Sequence, residues 1–306
     1  MTEFFDKVRA IVFDKGTKTS KIDKLQNELG CTAYEAQTLY RQLQPLIITA
    51  ARPSSSARLR FTIGVEIECF NIDREAVKSA IEARGLKAYS TGYNHNDSKE
   101  YYKLGSDSSI DGRNTCEVVS PILKNLSSLK EVCEVINEAG AQVNRSCGLH
   151  VHFGASKFSV KDWLKIIANY AAIEPIIDSF MPISRRGNNN TYCASIIDNA
   201  REIREYIDNG SALAPASLTD IQNIFGTRYK KLNVMSYRTH KTIEFRQHSG
   251  TTDFEKIENW VSFLTYFLDW SIKHDETISA STIDELPFLP QSLKTYYNNR
   301  RSELCA

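Results

Sequence analysis

The sequence predicts an α+β fold built on a sheet that is at least partly antiparallel, with helices on its apolar face. Three observations predict it. Short runs of alternating apolar and polar residues read as strands. These runs are interleaved with amphipathic stretches at helical spacing. Four of the strands, residues 64–68 (GVEIE), 114–121 (NTCEVVSP), 148–153 (GLHVHF) and 242–246 (TIEFR), carry acidic, imidazole or guanidinium groups on alternate positions. Successive strand side chains point to opposite faces, so Glu66 and Glu68 share a face, as do His150 and His152, and Glu244 and Arg246, while Ile67, Val151 and Phe245 point the other way.

Taken in order, residues 1–50 read as a small helical module. Ile22, Leu25 and Leu29 recur at helical spacing, and Gly30 ends that helix. Thr32 and Glu35 fit a capping box, from which a second helix runs through Ala36, Leu39, Leu43 and Leu46. Two short helices around a glycine turn fit a helix-turn-helix or a protein-docking hairpin alike. The nearly balanced charge of the segment gives no reason to expect nucleic acid. Residues 51–59, with Pro53 and three consecutive serines, read as a linker, leaving 60–306 as the main domain.

In that domain a strand over 60–70 leads to a helix over 74–84, opened by Asp73 and closed by Gly85. A polar loop is expected from 90 to 112. The strand at 114–120 stops at Pro121, and a helix over 128–139 ends before Gly140. After the 148–153 strand, Ser159 caps a long helix with Asp162 at its third position; Pro175 is expected to interrupt or kink it. A helix over 198–208, strands over 233–237 and 241–248 forming a hairpin across 238–240, and a helix over 254–274 complete the reading.

The chain has 306 residues, 42% hydrophobic and 25% charged, with a net charge of +1. That length supports one large or two modest domains, and the charge gives no argument for nucleic acid or an anionic membrane. Seven cysteines are scattered without a CxxC pair, and the opening MTEFFDKVRA lacks a continuous apolar stretch, so reduced thiols in a cytoplasmic setting are the expectation. The most apolar run, 260–272, is broken by Ser262, Thr265, Asp269 and Ser271, too polar and too short for a membrane span.

Chemistry is expected on the acidic face. Alternate carboxylates stand roughly 6.6 Å apart along a strand and repel each other unless a cation lies among them. Glu66 and Glu68 are joined by Glu117 and Glu244, neither with a lysine beside it on the polar face of its own strand. Four carboxylates with imidazole suit Mg²⁺ or Mn²⁺ held with phosphates. The pair His150 and His152 also admits zinc. Arg246 is either a salt-bridge partner for Glu244 or a fork for a carboxylate or phosphoryl group. Arg238 and the loop pair Arg185–Arg186 are further anion-binding candidates. Asp107 is explained by turn formation as well as by substrate contact. Neither a phosphate-binding glycine loop of the GxxxxGK type nor a GxGxxG is present.

The order and content of these segments, the Asp107–Ser108 stretch leading to Glu117 and the Gly250–Thr251 pair after Arg246 included, resemble the amidoligase family. This is a branch of the glutamine synthetase-like carboxylate–amine ligases, akin to glutamate–cysteine ligases, and the resemblance runs from about Phe61 to Trp270. It implies a curved, largely antiparallel sheet with helices on its outer face and ATP with Mg²⁺ or Mn²⁺ on its concave side. By that resemblance Glu66, Glu68, Glu117, His150 and Glu244 match metal-ligand positions, and Arg246 a position handling phosphate and acyl substrate. Arg238 resembles an ATP-phosphate arginine, and the Arg185–Arg186 loop a family feature on the cofactor side. His152 and Ser120 match motif positions, assigned here to cofactor and substrate, with Asp107 also on the substrate side. The implied reaction is amide or isopeptide formation between a small-molecule or peptide carboxylate and an amine, through an acyl phosphate. The alternatives are a zinc-dependent hydrolase built on the histidine and glutamate cluster, and a non-catalytic binding module. Neither the acyl and amine substrates nor the oligomeric state is specified by the sequence.

Overall fold

The computed structural model describes Ile11 and residues 18–40, 56–91 and 100–305. The chain divides into two compact units, residues 1–54 with 290–296, and residues 55–289 with 297–306. In the first, the helix Lys18–Leu29 and a helix over 33–40 carry a small core of Leu25, Ala36 and Tyr40 together with Ile11. The Thr32–Glu35 box is formed: the Thr32 amide donates to Glu35 Oε2 at 2.8 Å, and the Glu35 amide to Thr32 Oγ1 at 3.3 Å. The continuation of that helix past residue 40, and most of the linker, lie outside the described residues.

The second unit is a mixed α+β structure around one seven-stranded sheet. The strands are β1 Ile63–Cys69, β2 Ala88–Ser90, β3 Tyr102–Gly105, β4 Cys116–Val119, β5 Gly148–Gly154, β6 Leu232–Asn233 and β7 Thr242–Ser249. Their order is β2-β3-β4-β1-β5-β7-β6. Only β2 and β3 run parallel; the other five pairings are antiparallel. One face is apolar: Val65, Ile67, Val118, Leu149, Val151 and Phe245 are all buried. Aromatic side chains from two long helices pack on it. Tyr170 of the helix Val160–Ser179 and Phe267 of the helix Phe254–Lys273 lie 5.5 and 6.2 Å from the Phe245 ring. The first helix starts where the sequence places a cap, at Ser159, whose capping box with Asp162 is complete; the second is capped by Asp253, whose side chain accepts from the Glu255 amide. Asp73 likewise caps Arg74–Ala83.

Four expectations need correction. Residues 233–240 are not a strand and turn. β6 ends at Asn233 and a short helix, Ser236–His240, leads into β7 through Lys241 in the left-handed region (φ 58°). The β6–β7 pairing is antiparallel as expected, but its connection is helical. The stretch read as a loop from 90 contains β3, because Tyr102 and Leu104 alternate with Lys103. A helix over Leu218–Phe225, capped by Ser217 and ended by Gly226 (φ 66°), was not foreseen. Pro175 does not stop its helix, which runs unbroken from Val160 to Ser179. Buried Ile173, Ile176 and Ile177 flank the proline, and their packing outweighs its local cost. Among the described residues no helix is long and apolar enough to cross a membrane.

Candidate active site

The polar face of the sheet floors a cavity of about 700 Å³. Register decides what meets there. Glu68 stands opposite Glu117, Glu66 opposite His150, and His152 opposite Glu244, which itself stands opposite Asn233. A diagonal of carboxylates and imidazoles therefore crosses four strands, and the Asn233 amide extends it onto a fifth. His150 is its hub: Nδ1 lies 3.0 Å from Glu66 and 3.8 Å from Glu244, and Nε2 lies 3.6 Å from Glu68. Gly148 leaves room for that ring, since a Cβ there would come within 2.7 Å of His150 Nε2 and 3.3 Å of Arg185 Nη2. Its amide donates to Glu68 Oε2 at 2.5 Å.

Three sets of side chains bring ligand atoms within 4.8 Å of one another: Glu66, His152 and Glu244; Glu66, Glu117 and His150; and Glu68, Asp107 and Glu117. Glu66 and Glu117 are each shared between two sets. The electrostatics show what the arrangement lacks. Burial, then the charges of Glu66, Glu68 and Asp107, push the Glu117 carboxyl well above its ordinary range. Burial alone would raise Glu66 too, but the charge of His152 and the hydrogen bond to His150 hold it well below. Burial would lower His152, yet Glu244 and Glu66 raise it to about 9. At Glu244 burial is outweighed by Arg246 and His152, and the carboxyl is lowered. His152 Nδ1 meets Thr242 Oγ1 at 2.9 Å. Its buried Nε2 lies 3.3 Å from Glu66 and 3.9 Å from Glu244 without hydrogen-bond geometry to either. The repelled Glu117 carboxylate in two of the sets, and the His152 nitrogen without hydrogen-bond geometry in the third, fit divalent cations, and the oxygen-rich composition fits hard ones.

Cationic groups border the acids. Lys103, Arg185, Arg228, Arg238 and Arg246 line the same cavity as Glu66, Glu68, Asp107, Glu117 and Glu244, so five positive side chains face five negative ones. Arg246 Nη1 donates to Glu244 Oε1 at 2.5 Å and lies 3.5 Å from His150 Nδ1; burial would lower its pKa, but Glu244 and Glu66 raise it. Arg238 is held by Gln222 Oε1 at 2.9 Å. Arg185 is not the exposed loop residue its context suggests. It sits in a short 3₁₀ turn, 3% exposed, with Nη2 donating to the Cys147 carbonyl at 2.5 Å and Nε without a partner.

The structure thus gathers Glu66, Glu68, Glu117, His150, His152, Glu244, Arg246, Arg238, Arg185 and Asp107 around one cavity. Asp107 lies with Glu68 and Glu117 rather than apart from the acids. Arg186 does not line the cavity; its Nε donates to the Met181 carbonyl. Ser120 borders a smaller hollow of about 240 Å³. Its hydroxyl accepts from the Val65 amide and donates to the Pro121 carbonyl, tying β4 to β1. Sequence reasoning missed Lys103, whose strand was read as loop, and Asn233, whose Nδ2 donates to Glu244 Oε2 at 2.5 Å. The Tyr102–Lys103–Leu104 alternation was the available signal for the first; only register reveals the second.

No curated protein matches the chain. A family model described as "Putative amidoligase enzyme" matches residues 59–268, more than two thirds of the chain and every strand of the site. By that match the chain belongs to the amidoligase family of enzymes.

Proposed function

We propose that this protein is an ATP-dependent carboxylate–amine ligase, on a sheet of glutamine synthetase-like type, that forms an amide or isopeptide bond. The observation that carries the reading is the run of three ligand sets sharing Glu66 and Glu117 beneath an arginine-bearing wall. Glu66, Glu68, Glu117, His150 and Glu244 would hold Mg²⁺ or Mn²⁺, with His152 and Asp107 completing the outer sets. Bound there, such ions offset charge on phosphate oxygens.

The chain's own residues account for the rest. A carboxylate resists amines because it is anionic and oxide is a poor leaving group; phosphorylation of the substrate converts it to an acyl phosphate with phosphate as the leaving group. Arg246, fixed on Glu244, presents its remaining guanidinium donors to the acyl carboxylate or the transferred phosphoryl group, and such positioning is worth several kcal/mol. Arg238 and Arg185 face the same space and suit the remaining phosphate charge. The amine then attacks the acyl carbon, phosphate departs, and the ammonium proton leaves to a base.

Incubation with ATP, Mg²⁺ and a panel of amino acids and peptides should release ADP, and Glu117→Ala or Glu244→Ala should reduce that release at least a hundredfold. Retained turnover in either variant sinks the assignment of these ligands. Stoichiometric zinc without nucleotide turnover would replace the reading by a metal-dependent hydrolase, the other chemistry His150, His152 and Glu66 can support.

A further inference from the structure

Behind Arg246, on the far side of the sheet from the cavity, lies a cluster of buried polar groups that the proposed chemistry does not use. Lys231 is fully buried; its Nζ donates to Glu174 Oε1 at 2.9 Å and to Asp178 Oδ1 at 2.7 Å. Asp178 Oδ1 also accepts from Gln247 Nε2 at 2.6 Å, and Gln247 Oε1 accepts from the buried Tyr170 hydroxyl at 2.5 Å. The second oxygens of the two acids accept main-chain amides, Glu174 from Ile196 at 3.0 Å and Asp178 from Gly187 at 2.8 Å. One lysine thus meets two carboxylates, and the excess negative charge is satisfied by two peptide amides and one side-chain amide. A satisfied network of this kind adds little net stability over an apolar core but fixes geometry.

What it fixes can be read from the strands. Between the pairs Val151–Phe245 and Leu149–His248, β5 has one residue, His150, and β7 has two, Arg246 and Gln247. That is a bulge, which re-aims side chains and gives up ladder bonds. Arg246 points to the cavity and Gln247 into the network. The Arg246 amide donates to the carbonyl of Lys231 at 2.8 Å. Gly187 and Ile196, held by the two acids, bracket the segment that contributes Asn190 and Tyr192 to the cavity wall; the Tyr192 carbonyl accepts Arg246 Nε at 3.3 Å.

We infer that Lys231, Glu174, Asp178 and Gln247 are positioning residues that hold the β7 bulge, and through it aim the Arg246 guanidinium at Glu244 and His150. The inference rests on the ligase reading only for what Arg246 does when substrates bind; the aiming itself is a property of the protein alone.

Two readouts keep these apart. In ¹H–¹⁵N spectra the Arg246 Nε–H, assigned by its loss in Arg246→Lys, should be a resolved signal of an ordered guanidinium. Gln247→Met and Lys231→Met should shift or broaden it, and Lys231→Arg should restore it. Binding of adenylyl imidodiphosphate with Mn²⁺, followed by calorimetry, should weaken at least fivefold in Gln247→Met but show no further loss when Gln247→Met is added to Arg246→Ala. An unchanged Arg246 signal in both Gln247→Met and Lys231→Met overturns the inference. An altered signal with no nucleotide binding even in the wild type leaves the aiming in place and counts against the ligase reading instead. Should Lys231→Met fail to fold, Gln247→Met, which leaves the lysine and both acids in place, decides.

Discussion

Glu117 concentrates the conflict that a metal-binding face imposes on its own protein. It is half-buried beside Glu66, Glu68 and Asp107, and burial together with those charges drives its carboxyl toward protonation. A folded chain that gathers acids in this way is less stable than one that does not, unless a cation joins them. Glu117→Gln should therefore raise the melting temperature of metal-free protein by a few degrees, equivalent to about 1 kcal/mol, and abolish most of the stabilisation that Mn²⁺ gives the wild type. Thermal melts of both proteins, with chelator and with Mn²⁺, check this. A variant melting lower without metal, or keeping the full Mn²⁺ response, would remove Glu117 from the cation site. His152 complements it: the acids around it hold it protonated up to about pH 9, so its ring stands in for a cation among Glu66 and Glu244.

Elements bring these residues together, and most of the elements were legible in the sequence. Period-two alternation identified β1, β4, β5 and the site-bearing part of β7, and fixed which side chains share a face, because one face of each strand is apolar and the register cannot slip without burying acids. Caps were legible for the same local reason: Asp73, Ser159 and Thr32 each bond the amides that sequence chemistry assigns to them. What was not legible is either too short to show a period or depends on partners far away in the chain. β3 is four residues long and becomes a strand by pairing with β4. The helix Ser236–His240 was read as a strand end and a turn because five residues cannot display a helical period. The bulge that sets Arg246 beside His150 exists only in the pairing of β5 with β7, some ninety positions apart. Asp107 reaches Glu68 through a turn rather than a strand. The long helix behind β7 offers a test of how local and distant terms separate. Ser159→Ala removes a complete capping box and should cost about 1 kcal/mol in denaturant unfolding, while leaving the Mn²⁺ response unchanged, since the cap lies outside the cavity. Loss of metal binding with the cap would tie helix initiation to the site.

Across the main unit, charge is sorted by depth. Glutamates of β1, β4 and β7 with the β5 histidines floor the cavity, cations of β3, β7 and the connecting segments border them, and the opposite face is apolar apart from the network around Lys231, so a net charge of +1 conceals a strongly polarised cavity. The helix-covered side also holds a histidine. His248 follows the β7 bulge, faces the helices, packs its ring 5.5 Å from that of Trp260, and donates Nδ1–H to the Ser249 carbonyl at 2.7 Å. Burial, then the charge of Arg300, lowers its pKa to about 3 from an ordinary value near 6.5. Between those values the unfolded chain binds a proton at this side chain and the native state does not. Stability from this source is therefore complete above about pH 6.5 and is lost as the pH falls, by about 2 kcal/mol between pH 7 and pH 5. His248→Asn keeps a donor for the Ser249 carbonyl but cannot take up the proton. It should be less stable than wild type at pH 7, by about 1–2 kcal/mol for the vacated ring volume, yet lose about 2 kcal/mol less on going to pH 5. Urea unfolding at pH 7, 6 and 5 on both proteins isolates the difference, because every other titrating group is common to the pair. Parallel stability curves for the two would mean that the imidazole is protonated inside the native core, and that the neutral ring against Trp260 is not the state in which the protein folds.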